Sequence, residues 1–171
     1  MINIRLENPE DMAQVRALHE RAFRQPTEAD AVDTLRLTCP DSLSVVAEDD
    51  GRIVGHILFT PVVIDSPKRK VEGMGLAPMA VLPLCQRQGI GSQLVQHCLK
   101  ILRERGCPFV IVLGHPEYYV RFGFVPASTY KITSQWDNVP EESFMILVFD
   151  EDTMQGVSGV AKYRDEFSAA M

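Results

Sequence analysis

The stretch Val81-Leu82-Pro83-Leu84-Cys85-Gln86-Arg87-Gln88-Gly89-Ile90-Gly91-Ser92 joins a strand end, a short loop and the start of a strongly amphipathic run. Ile90, Leu94, Cys98, Ile101 and Leu102 recur at helical spacing, which predicts a helix from Gly89 to about Arg105, ended by Gly106. The first N–H groups of such a helix have no carbonyl to reach back to, and the positive end of the helix dipole lies behind them. That is an anion site suited to a phosphate or pyrophosphate. Gly89 and Gly91 let the anion approach the backbone closely. The plainer alternative is that both glycines only make a tight turn into a packed helix.

Two common nucleotide motifs fail here. A P-loop needs Gly-Lys-Ser or Gly-Lys-Thr, and Gly91 is followed by Ser92-Gln93. A dinucleotide fingerprint needs a third glycine where Leu94 stands, and an acidic residue about 20 positions on, where Ile111 and Val112 stand.

A second cluster reads Gly114-His115-Pro116-Glu117-Tyr118-Tyr119-Val120-Arg121-Phe122-Gly123-Phe124. With it the chain resembles the GNAT acyltransferases, a superfamily of acetyl-coenzyme A-dependent N-acetyltransferases. The family loop, Gln/Arg-x-x-Gly-x-Gly/Ala after a strand ending in Val, is matched by Gln86, Gly89, Gly91 and Val81. The family's later Tyr-x-x-x-Gly-Phe is matched by Tyr119, Gly123 and Phe124. The run from Gly75 through Phe124 is most similar to a small bacterial subgroup of undefined substrate.

The resemblance implies an α/β fold. Its mixed, mostly antiparallel twisted sheet has a splayed central strand pair and flanking helices. It implies transfer of an acetyl group from acetyl-CoA, as co-substrate, to a primary amine by direct attack. Met79, Ala80 and Val81 would offer backbone groups to the pantetheine arm, and one N–H would polarise the thioester carbonyl. Gln86, Arg87, Gln88, Gly89, Ile90, Gly91 and Ser92 would hold the pyrophosphate. Tyr119 stands where the family places its general acid, and a phenol is still protonated at neutral pH. Its alternatives are a plain packing role, or Tyr118 in its place. The rival from another class is an acyl-CoA-binding sensor or regulatory module without turnover.

Glu72, His115, Glu117 and Asp137 are candidate bases for the amine, and spacing singles out none. Cys98, Cys107 and His115 lack the paired spacing of a zinc site, so no metal is expected. Cys85 reads as a small loop hydrophobe. His19, His56 and His97 lie in ordinary helix or strand patterns and read as scaffold.

These residues must be carried by a sheet. Ile2, Ile4 and Leu6 alternate into a strand. Asn8-Pro9 opens a helix with Met12, Val15, Leu18, Ala22 and Phe23 as its apolar stripe. Thr27 caps a second, with Ala31, Val32 and Leu35 inward, stopped by Cys39-Pro40. A hairpin follows, turned by Asp50-Gly51. Its second strand, Ile53 to Phe59, is interrupted at Pro61 and resumes at Val62 to Ile64. Lys68-Arg69-Lys70 reads as a solvated turn, with a contact to a phosphate as the alternative. Leu76 to Val81 is the next strand, and Pro78 within it removes a ladder donor. After the long helix come a buried strand at Phe109 to Leu113 and a short helix opened by His115-Pro116. Strands near Phe124 to Ile132 and at Phe144 to Phe149 follow. Residues 1–150 read as one domain and 151–171 as a C-terminal extension of weak pattern.

The chain has 171 residues, 46% of them hydrophobic, enough for a core without disulfides. Its net charge of −6 argues against nucleic acid or an anionic membrane as partner. The N-terminus shows no signal peptide, and the four cysteines read as reduced thiols in a cytoplasmic protein. The acceptor is expected to be a small-molecule or peptide amine. The first two helices and the Thr133 to Val139 loop, with Trp136, are expected to line its pocket. The C-terminal segment or an exposed sheet edge offers a surface for a homodimer.

Overall fold

The first strand, β1 (Ile2–Leu6), pairs antiparallel with β2 (Leu43–Asp49), Ile4 opposite Ala47. β2 pairs antiparallel with β3 (Arg52–Asp65) across the predicted Asp50-Gly51 turn, both residues at positive φ. Between β1 and β2 lie α1 (Met12–Phe23) and α2 (Thr27–Thr38). The chain enters α1 through a 3-10 turn at Pro9–Asp11, closed by the Asn8 N–H donating to Asp11 Oδ2 at 2.7 Å. These parts, with β3 as far as Phe59, belong to the first of two units, Met1–Phe59 with Ala77–Ile101 and the segment from Asp165. The second unit is Thr60–Leu76 with Leu102–Arg164. The computed structural model describes residues 1–169.

The predicted stripe of α1 needs correction at its ends. Val15 and Leu18 are buried, but Met12 and Phe23 are exposed, and His19 takes a core position at 0% exposure. His19 meets His56 on β3, whose cross-strand partner Val46 is also buried. Val45, Ile57 and Phe59 are buried on the other face of β2 and β3, the face that carries Gly55. The third long helix, α3 (Ile90–Glu104), also packs in the first unit. Gly55 on β3 makes room for it: a Cβ there would lie 3.0 Å from Leu94 Cδ1 and 3.1 Å from Ile90 Cγ2. Gly106, at φ +80, ends the helix, and the Cys107 N–H reaches back to Leu102 O.

β3 runs through Pro61 without a break. The pairing with β2 ends at Phe59, so the missing N–H of Pro61 interrupts no bond to that neighbour. β4 (Lys70–Val81) begins six residues earlier than the alternation from Leu76 suggests. Two glycines hide its start. A Cβ on Gly73 would sit 2.5 Å from Phe109 O, and one on Gly75 would sit 2.6 Å from Val62 Cγ2. The backbone there needs glycine for close approach, although glycine disfavours strands.

In the second unit β4 pairs parallel with β5 (Phe109–Leu113), from Met74↔Val110 to Leu76↔Val112. The register stops before Ala77-Pro78, whose peptide bond is cis. β5 pairs antiparallel with β8 (Phe144–Val148), and β8 with the two-residue β6 (Val125–Pro126). The strand expected from Phe124 to Ile132 is broken. After β6 comes a 3-10 turn at Ala127–Tyr130, then Lys131 at φ +59, then β7 (Ile132–Ser134). Pro126 and the left-handed Lys131 cannot continue one ladder.

The weakly patterned residues after Asp150 have definite positions. Asp150 caps α5 (Glu151–Met154), accepting from the Thr153 N–H at 3.1 Å. β9 (Gly159–Lys162) pairs antiparallel with β3 and parallel with β7. Arg69 is exposed but not merely solvated: its guanidinium donates to the carbonyls of Thr153 and Gln155. The result is a mixed α/β protein with a mostly antiparallel sheet and flanking helices.

Candidate active site

The loop from Val81 to Ile90 is built by local bonds. Leu82 follows β4 with its N–H on Val54 O at 2.9 Å, and Pro83–Cys85 makes a 3-10 turn. The Gln86 side chain folds back, its Nε2 donating to Val81 O at 3.1 Å. Gln86 therefore shapes the loop, and one lone pair of the Val81 carbonyl is already used. Arg87 at φ +65 and Gly89 at φ +84 are both left-handed. Left-handed residues alternating with ordinary ones gather successive N–H groups into a concavity.

Residues 86–89 are exposed. Nothing lies within 4 Å of a Cβ placed on Gly89, so its positive φ, not crowding, requires glycine. The helical ladder opens with the Gln93 N–H on Gly89 O at 3.0 Å. Ile90 buries its side chain in the core at 3% exposure, leaving only its backbone to the loop. Gly91 and Ser92 are half-buried. Met79 and Val81 are half-buried and Ala80 is buried. The predicted anion-site residues thus share one turn at the start of a fifteen-residue helix, exposed over residues 86–89.

Tyr119 belongs to the second unit. It ends α4 (Pro116–Tyr119), which is entered from His115. Its ring is 7% exposed and lies in an aromatic cluster. Tyr118 stands edge-on at 5.0 Å and Phe124 at 5.6 Å between centroids, with Phe122 tilted at 6.3 Å. Gly123, at φ +97, turns the chain so that Phe124 can enter the core. Burial pushes the Tyr119 phenol above its ordinary value, with Tyr118 adding a smaller push the same way. Tyr118 is half-buried, with the Arg121 guanidinium carbon 4.5 Å from its ring centroid.

The remaining candidates separate by exposure. Glu72, His115, Glu117 and Asp137 are all exposed. Trp136 is half-buried against Tyr163, with ring centroids 4.9 Å apart. Burial pushes the Cys98 thiol up to about 12, so it holds no thiolate at neutral pH. A cavity of about 640 Å³ is lined by Thr129–Lys131, Glu151, Asp152 and Met154–Ser158, none of them a motif residue. Sequence reasoning missed Gly114, whose only local signal is its place directly before His115-Pro116.

The comparisons with known proteins decide the family. A model described as an acetyltransferase (GNAT) domain matches residues 3–127. The chain is a member of the GNAT acetyltransferase family. It is 35% identical over 166 residues to YhbS of Escherichia coli K12, named an uncharacterized N-acetyltransferase, covering 96% of this chain and 98% of that one. It is 38% identical over 138 residues to the uncharacterized N-acetyltransferase YjhQ of the same strain, covering 77% and 74%. The crystal structure of E. coli YhbS in complex with CoA superposes with a TM-score of 0.88 at 34% identity, over 98% of this chain and 92% of that one. A Brucella melitensis GNAT acetyltransferase in complex with acetyl-CoA gives 0.79 at 34% identity, over 98% of each chain. This GNAT chain is therefore an acyltransferase by family. Among the described residues no helix is long and apolar enough to cross a membrane.

Proposed function

We propose that this GNAT protein transfers the acetyl group of acetyl-CoA to a primary amine by direct attack. The observation that carries the reading is the Gln86–Ser92 turn, exposed over residues 86–89, with left-handed Arg87 and Gly89 at the start of α3. Relatives at 34% identity supply the ligand class, since one is described with CoA and another with acetyl-CoA.

In this reading Arg87 to Ser92 hold the pyrophosphate through backbone N–H groups and the helix dipole. Met79, Ala80 and Val81 line the pantetheine arm with backbone groups, one N–H facing the thioester oxygen. The amine nitrogen attacks the carbonyl carbon, the N–C bond forms and the C–S bond breaks. Tyr119 gives its hydroxyl proton to the departing sulfur. The proton lost by the amine passes to water, and solvent restores the phenol. With its pKa raised by burial, Tyr119 stays protonated through the alkaline range where amines are neutral.

One observation favours the second reading, a CoA-binding module without turnover: the Tyr119 ring packs as a core residue would. A thiol-release screen with acetyl-CoA against amines, polyamines, amino acids, aminoglycosides and peptides separates the two. Release accelerated by any amine supports the enzyme. Tight acetyl-CoA binding with no acceleration across the panel supports the module.

A further inference from the structure

Gly114 is the first residue after β5, and its N–H donates to Ser143 O at 3.0 Å. It is not among the described residues with positive φ, so its backbone conformation is open to any residue. What forbids a side chain there is Tyr119. A Cβ on Gly114 would lie 2.4 Å from Tyr119 Cε2, 3.0 Å from Cδ2 and 3.4 Å from Cζ. Comfortable carbon contacts need about 3.5–4.0 Å, so the ring would have to move by roughly 1 Å. The contact falls on the Cδ2–Cε2 side of the ring, beside the Cζ that carries the hydroxyl. The ring also packs against the edge-on Tyr118 and Phe124 and the tilted Phe122.

We propose that Gly114 is a positioning residue for the Tyr119 hydroxyl: its missing side chain is the seat that fixes where the phenol points. The proposal rests on the reading of Tyr119 as donor to the CoA sulfur. A proton donor displaced by about 1 Å loses on the order of 10²-fold in rate, so such a seat has functional value beyond packing.

The test needs no acceptor. Protein carrying tyrosine labelled with ¹³C at the ζ position is titrated with CoA, and the Tyr119 resonance is assigned by its loss in Tyr119→Phe. In wild type the resonance should move on CoA binding, and move far less with desulfo-CoA. In Gly114→Ala the CoA-induced movement should fall at least two-fold, while CoA affinity by calorimetry stays within about two-fold. An unchanged movement in Gly114→Ala overturns the positioning role and leaves the donor reading intact. No movement in wild type saturated with CoA, or equal movement with desulfo-CoA, overturns the donor reading and this proposal with it. If Gly114→Ala does not fold, Gly114→Ala with Tyr119→Leu decides. Removing the ring should make room for the added methyl group, with a denaturation midpoint equal to that of Tyr119→Leu alone. A double variant still markedly weaker than Tyr119→Leu shows that something other than Tyr119 demands the glycine, and overturns the proposal.

Discussion

His19 on α1 and His56 on β3 share a 2.8 Å hydrogen bond, Nε2 to Nδ1, with both residues at 0% exposure. His56 Nε2 in turn lies 2.8 Å from Ser44 Oγ on β2, and 3.9 Å from Glu7 Oε2. Glu7 is held by Arg36 at 2.7 Å. His19 Nδ1 is buried with no hydrogen-bond partner. The pair clamps the first helix to the sheet through neutral imidazoles.

The clamp should make stability depend on pH. Burial, and then the charge of Arg36, pulls the His19 pKa down to about 4, with Asp33 opposing. Burial, then His19 and Arg36, pushes His56 well below its ordinary value. An unfolded histidine titrates near ~6.5. Between about 6.5 and 4 the unfolded chain therefore binds protons that the folded chain refuses. Stability should be full above that window and fall as pH drops through it, by about 1.4 kcal/mol per pH unit for each such histidine. The urea midpoint, measured from pH 8 to 4, checks this. His19→Leu should flatten the slope in that window, and an unchanged slope would assign the pH dependence to other groups.

Gly91→Glu should abolish acetyl-CoA binding. It places bulk and a negative charge in the first turn of α3, where the pyrophosphate is proposed to sit. The substitution is compatible with a helix, so the circular dichroism spectrum should be retained. Calorimetry on the folded variant is the measurement, and wild-type affinity would remove the anion site from this turn.

Ligand class should show in thermal unfolding. Acetyl-CoA and CoA should raise the midpoint, because a ligand bound only by the native state stabilises by mass action. ATP and NAD should raise it less, since the turn lacks the P-loop lysine and Leu94 replaces the third dinucleotide glycine. A larger shift with ATP or NAD contradicts the proposed cofactor.

Tyr119→Phe should lower turnover by roughly 10²–10⁴ once an acceptor is in hand, with acetyl-CoA affinity nearly unchanged. Tyr118→Phe should do much less, its half-buried ring being covered by Arg121. Both variants keep the ring and should unfold at similar denaturant concentrations. Equal turnover in wild type and Tyr119→Phe would pass the proton to water or to Tyr118.

By itself the sequence determined the parts whose signals are local. The Asp50-Gly51 turn demands two left-handed residues and a hairpin on either side. The stripe Ile90, Leu94, Cys98 and Leu102 demands a helix with one buried face. Gln86, Gly89 and Gly91, followed by Tyr119, Gly123 and Phe124, pointed to the family because each motif lies within a single turn or short helix.

Only the tertiary structure decided what each buried face meets. Periodicity says that a side is covered, not by what. It therefore favoured Met12 and Phe23 over His19, whose partner His56 is 37 positions away. It missed the start of β4, because Gly73 is explained by Phe109 pressing on it and Gly75 by Val62 and Tyr163. It could not place β9, whose hydrogen bonds go to β3 and β7 and not to its neighbours in sequence. Nor could it mark Gly114, a glycine at an ordinary φ whose reason is the ring of Tyr119. Close approach is a relation between two surfaces, and one strip of sequence carries only one of them.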